Sequence, residues 1–225
     1  MRSAALALVL VLFFSACGPT IHGYSLRRPQ PDESRQVAEL LDPLLLALDL
    51  PSLGTIATSK DCKIGFAIVR TERVNIWSSP ATTAPCLYFT LLVTEGALKI
   101  QPDHLMATMA HELGHLLLLH TPQSDSPAFT VSAEDWEAIQ AQELEADRFA
   151  VALLKRTQAL YHVGACEAMG EFLRRSVPDW YGAGVSSRMN DAVTRRAESA
   201  DADCASTDLA SPPWVTPAAG IPGAW

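Results

Sequence analysis

Two histidines four residues apart, with a glutamate between them and apolar chain on both sides, limit this sequence more than any other feature: His111-Glu112-Leu113-Gly114-His115. On a helix the side chains at i and i+4 lie one above the other, so both imidazoles reach one point in space. Leu105, Met106, Met109, Leu113, Leu116 and Leu117 recur at helical spacing, and Pro102 suits a first turn, which predicts a buried helix over Asp103 to His120. A polar side chain inside such a helix costs roughly 2 kcal/mol or more unless something pairs with it. A metal ion pairs with two imidazoles directly, and one zinc per chain is the expected cofactor. A surface helix with incidental histidines fits the apolar surroundings poorly.

A catalytic zinc takes three protein ligands and leaves a fourth position open. The segment Ser132 to Arg156 offers Glu134, Glu137, Glu143 and Glu145. Ser132 reads as a helix cap with Glu134 in the first turn, which accounts for Glu134 without a metal, and Glu137 reads as solvated. Glu143 and Asp147 stand one turn apart on a face that continues into Ala146, Ala150 and Leu154. Glu145 points elsewhere. Glu143 is therefore the expected third ligand, and Asp147 the acceptor for the free ring N–H of a ligand histidine. With such a site, water is the nucleophile and Glu112 the general base and later acid, without a covalent intermediate.

His111 to His115, then His120, then Glu143-x-x-Ala146-Asp147 resemble the gluzincin metallopeptidases that include the CAAX prenyl protease and HtpX. Val74-Asn75, Tyr88-Phe89-Thr90 and Glu95-Gly96-Ala97-Leu98 look like the strand pair leading into that family's zinc helix. The resemblance covers about Val74 to Leu154 and implies a zinc endopeptidase acting on polypeptides. It also implies that substrate adds as an extended strand to a sheet edge, placed here at Cys86 to Thr94. Metzincins fit badly, because Leu118 stands where their glycine falls and His120 comes one residue early. His120 reads as a structural histidine off the metal face. The family's C-terminal His-Pro is missing near Ser186-Ser187-Arg188-Met189. Oxyanion or substrate contacts then fall to Arg195 or Arg196, Tyr161, His162 or Tyr181, none with a spacing argument behind it.

Met1 and Arg2 precede an apolar run from Ala4 to Phe14 that is too short to span a bilayer, and Phe14-Ser15-Ala16-Cys17 resembles a lipobox. Cys17 is then a lipidated N-terminus on the periplasmic side of an inner or outer membrane, and a plain secretory signal cut nearby is the alternative. Either reading exports the chain to a bacterial cell envelope, where misfolded envelope proteins are substrates that the family suggests. The remaining Cys62, Cys86, Cys166 and Cys204 form an even set suited to an oxidising compartment. Cys62 with Cys86 would staple two strand-like runs, and Cys166 with Cys204 would pin the C-terminal helices. The other two connectivities stay open.

The expected fold is α+β, mostly helical and zincin-like, with a small sheet edge. Residues 1–17 form the signal and 18–31 a tether; 32–204 form one metallopeptidase domain, and 205–225 a disordered tail. Asp32 to Leu50 reads as a helix bent or split at Pro43, Pro80 to Pro85 and Thr121 to Thr130 as loops, and Ala165 to Ser176 and Asn190 to Ala200 as further helices. A net charge of -8 without a basic run argues against nucleic-acid binding and leaves lipid as the means of membrane attachment. The rival function is a non-catalytic zinc-binding lipoprotein, a chaperone or scaffold, against which the intact Glu112 argues.

Overall fold

The computed structural model describes residues 20–21, 24–50, 64–80, 89–118, 120, 133–181 and 187–206. Expectations about Cys17, Cys62, Cys86, Tyr88, the Thr121 to Thr130 connection and the tail beyond Ser206 fall outside these residues.

In chain order the elements are β1 (Thr20–Ile21), β2 (Tyr24–Arg27), α1 (Pro31–Ala47), β3 (Ile64–Val69), β4 (Ile76–Pro80), β5 (Phe89–Thr94), a 3₁₀ turn (Ala97–Lys99), α2 (Pro102–Leu117), α3 (Ala133–Tyr161), α4 (Glu167–Tyr181) and α5 (Ser187–Ala205). This is an α+β, mostly helical domain. Among the described residues no helix is long and apolar enough to cross a membrane.

The five strands lie in the order β1-β2-β3-β5-β4, with β3 and β5 parallel and every other pair antiparallel. Two findings depart from the sequence expectations. Residues 24–27, expected within a tether, form β2 and pair with β3 through Leu26 opposite Val69. The Arg27 guanidinium fixes this strand, with both terminal nitrogens 2.7 Å from the Glu33 carboxylate and Nε 2.7 Å from Glu95. Such planar, forked pairing favours arginine over lysine. The second departure concerns the sheet edge. β5, within the segment where substrate was expected to add, is hydrogen-bonded on one side to β3 and on the other to β4, so it has no free edge. The edge belongs to β4, whose Ser78-Ser79-Pro80 gives little strand signal in sequence; proline at the end of an edge strand removes no ladder bond that matters. The helix expected to bend or split at Pro43 is not split there, since α1 runs on through it. The carbonyl that Pro43 leaves without a partner is that of Glu39, on the exposed side of the helix, where water can take the bond.

α2 is the central helix. It packs against α1, α3, α4 and β4, and residues 104–111 are buried without a break. Leu41, Leu44 and Leu45 from α1, Met109 and Leu113 from α2, Phe149, Leu153 and Leu154 from α3, and Phe172 and Leu173 from α4 share one core. A disulfide between Cys166 and Cys204 joins the start of α4 to the end of α5. Closing a loop of 38 residues removes enough unfolded-chain entropy to stabilise this corner by about 4 kcal/mol in the loop-entropy account.

α2 and α3 come close at Gly114, where a Cβ would lie 3.1 Å from the Cα and carbonyl oxygen of Ala146 and 3.2 Å from the Phe149 ring. Backbone of a packed helix gives way less readily than a side chain tip. Gly114→Val should therefore cost about 2–3 kcal/mol in the denaturation midpoint, because overpacking outweighs the helix propensity gained on leaving glycine. A valine variant as stable as the parent contradicts this contact.

Candidate metal centre

The close approach at Gly114 carries the histidine face of α2 onto the Glu143 to Asp147 turn of α3. His111 Nε2 and His115 Nε2 lie 3.0 Å apart, with the rings nearly perpendicular at 82°. Glu143 completes the group, its Oε2 3.4 Å from His111 Nε2 and its Oε1 3.4 Å from His115 Nε2. Among the described residues this is the one metal-competent group not closed by a disulfide.

Zinc bonds of 2.0–2.1 Å in a tetrahedron put neighbouring ligand atoms about 3.3 Å apart. The two nitrogens, 3.0 Å apart, lie near that edge length, and each is 3.4 Å from one of the two Glu143 oxygens. The donor chemistry agrees, since two imidazole nitrogens and one carboxylate oxygen form a set that zinc accepts with a position left open. The residues therefore fit the ion.

Buried charge around the group is balanced within the fold. Asp147, 1 % exposed, holds Oδ1 2.9 Å from His111 Nδ1, a charge contact that falls short of an aligned hydrogen bond. Arg196 on α5 reaches both carboxylates. Its Nη1 lies 2.8 Å from Glu143 Oε2, while Nε and Nη2 donate to Asp147 at 2.6 and 2.9 Å. Burial pushes both carboxyls up, and the Arg196 charge with the His111 contacts reverses this, holding Glu143 well below the usual carboxylate range and Asp147 below its own. Burial lowers the His111 pKa, but the contacts with Asp147 and Glu143 outweigh it and raise the value to about 10. In the metal-free protein, then, a proton on His111 occupies the electrostatic place of a cation, and a metal must displace it.

Glu112 bonds toward the sheet while staying close enough to His111 and His115 to feel their charge. Its Oε2 accepts the backbone N–H of Ser78 on edge strand β4 at 2.8 Å. Burial raises the Glu112 pKa, and the positive field of His111 and His115 and the Ser78 bond oppose the rise. A carboxylate shifted upward is a better proton acceptor at neutral pH than an ordinary one.

The other residues singled out from sequence divide sharply. Arg195 is exposed and turned from the group. Arg196 lies in the buried stripe of α5 with Met189, Ala192, Val193 and Ala200, at spacings of three and four that sequence alone contains. Tyr161 and His162 lie at the far end of α3, about 27 Å from Glu143 at the helical rise per residue. His162 instead lines a separate cavity of about 380 Å³ with Glu39, Asp103 and Met106. Tyr181 ends α4. Arg188 lies over the Trp136 ring, 5.3 Å from its centroid. His120 sits off the metal point but is not isolated, since its Nδ1 lies 3.0 Å from His115 Nδ1 and its Nε2 3.1 Å from Glu145 Oε2. Burial holds the His120 pKa below the usual histidine value. Sequence spacing gave no sign of this pair, because His120 reaches His115 through the turn that ends α2, where its N–H bonds the His115 carbonyl at 2.9 Å.

Residues 102–163 match the M78 peptidase family model. That model is described as the IrrE N-terminal-like domain, a zinc metallopeptidase-like family, and the match runs from the start of α2 to just beyond α3. It thus spans His111, Glu112, His115, Glu143 and Asp147 but neither β4 nor Arg196. No curated protein and no solved structure matches the chain.

Replacing Arg196 by Leu leaves two carboxylates buried without their cation and should destabilise the metal-free protein by about 3–5 kcal/mol in urea unfolding at pH 7. Arg195→Ala should stay within about 0.5 kcal/mol. The Arg196→Leu deficit should shrink as pH falls toward 5, since carboxyls no longer held down take up protons in the folded state. Equal effects of the two substitutions contradict the assignment.

Proposed function

We propose that this chain is a zinc-dependent endopeptidase, with His111, His115 and Glu143 as metal ligands and Glu112 as general base. The observation that carries the reading is the convergence of two imidazole nitrogens 3.0 Å apart on the Glu143 carboxylate, each 3.4 Å from one of its oxygens, with a desolvated glutamate on the adjoining position of the same helix. The M78 likeness over the same helices supports it. Glu143-x-x-Ala146-Asp147 supports kinship with the CAAX prenyl protease and HtpX type in particular.

Bound zinc supplies a Lewis acid that brings the pKa of a coordinated water to about 7 and polarises a peptide carbonyl. The protein's own groups do the rest. Glu112 takes a proton from the attacking water and passes one to the leaving amine. Asp147 and Arg196 hold His111 and Glu143 in place, so the donor set is formed before a metal arrives. An extended polypeptide lies along the outermost strand β4, beside the Glu112 carboxylate that the Ser78 N–H holds, in place of the Cys86 to Thr94 segment. Export through the N-terminal segment, anchoring through lipid on Cys17 and action on misfolded envelope polypeptides complete the reading. A scaffold that uses zinc as a pin is disfavoured, because structural zinc is closed by four protein ligands and among the described residues the group offers three.

Glu112→Gln should keep zinc bound while lowering cleavage of unfolded casein by about 10²–10⁴-fold, the usual worth of a positioned base. His115→Ala should lose the metal and the activity together. Casein cleavage by Glu112→Gln at the parent rate, with zinc content measured on the same sample, overturns the assignment.

A further inference from the structure

The two ligand histidines are supported by unlike partners. Behind His111 stands a buried, charged carboxylate that Arg196 also grips. Behind His115 stands another imidazole, His120, whose far nitrogen meets Glu145. We infer that His120 and Glu145 form a relay that positions His115 for the metal, fixing its tautomer and ring orientation.

An imidazole that gives Nε2 to a cation while neutral carries its proton on Nδ1. His115 Nδ1–H therefore needs an acceptor in a largely water-free place, and the polar atom 3.0 Å away is His120 Nδ1. A neutral His120 that accepts at Nδ1 must carry its own proton on Nε2. That nitrogen faces an acceptor-only group, the Glu145 carboxylate, at 3.1 Å. Every donor then meets an acceptor in one direction: His115 to His120 to Glu145. The opposite order fails at both ends, because it would put a proton on the nitrogen that faces the metal point and leave Glu145 with no proton to accept.

Burial argues the same way. The His120 side chain is 6 % exposed, so water cannot replace either partner cheaply, whereas Glu145 is 62 % exposed and keeps its charge solvated at the outer end. A carboxylate behind an imidazole behind a metal-ligating imidazole is the usual carboxylate–histidine support extended by one ring. The backbone sets it up, since the His120 N–H bonds the carbonyl of His115 and turns the chain back over the ring it supports.

This inference rests on the zinc-peptidase reading, and the test separates the two. Zinc affinity of the full chain would be measured by competition with a chromophoric chelator, alongside the visible spectrum of the cobalt-substituted protein. His120→Ala should weaken zinc binding about 10–100-fold and Glu145→Ala about tenfold, the scale found when partners of ligand histidines are removed. His120→Asn, whose Oδ1 stands where Nδ1 stood, and Glu145→Gln, which keeps an acceptor oxygen, should bind zinc as the parent does and return the parent cobalt spectrum. If His120→Ala does not fold, Glu145→Ala and Glu145→Gln at an exposed position decide. Unchanged affinity in both alanine variants overturns the relay and leaves the metal site standing, as does equal weakening by His120→Ala and His120→Asn. A parent chain that binds no zinc overturns the peptidase reading and the relay with it.

Discussion

Two helices can bring ligand side chains from both to one point only when their backbones come close, and here that depends on a glycine facing an alanine. Gly114 lies within the histidine motif itself, and Ala146 lies between Glu143 and Asp147, so the smallest side chains of each segment sit where the helices touch. A larger side chain at either position separates the imidazoles from the carboxylate. Packing and chemistry are thus set by the same few residues, and the apolar contacts of Leu113 and Phe149 on either side hold the approach at that distance.

The approach also concentrates charge in a place with little water. Glu143 and Asp147 stand one helical turn apart, Asp147 buried and Glu143 largely so, an arrangement that repels unless cations enter it. Arg196 brings one positive charge from α5, and His111 brings a second as a proton when no metal is present. The last helix is therefore part of the site as well as of the core, and the Cys166–Cys204 disulfide, which secures the end of that helix, contributes to the site at a distance. The sheet contributes the Ser78 N–H, which holds the carboxylate of Glu112 against β4.

Much of this was legible in the sequence where the information is periodic. The i and i+4 spacing of His111 with His115, and of Glu143 with Asp147, states which side chains share a face, and the apolar residues between them state which face is buried. The mostly helical α+β class follows from the same patterns. Relations made through turns and through tertiary packing were not legible. His120 meets His115 only because the chain reverses after Leu118, and a helical projection carried past the helix end puts the ring on the wrong side. β4 is short and ends in Ser78-Ser79-Pro80, so its place at the sheet edge depends on pairing with β5 more than on its own pattern. Arg196 was distinguishable from Arg195 by the apolar stripe of α5, yet its two carboxylate partners lie about fifty residues upstream in sequence and emerge only from the fold.

The account stands on one donor set, and X-ray absorption at the zinc edge of the purified, zinc-loaded protein tests that set most directly. It predicts a four-coordinate nitrogen and oxygen shell at about 2.0–2.1 Å, with the multiple scattering of two imidazoles. A sulfur shell near about 2.3 Å, or a spectrum lacking imidazole scattering, would contradict it.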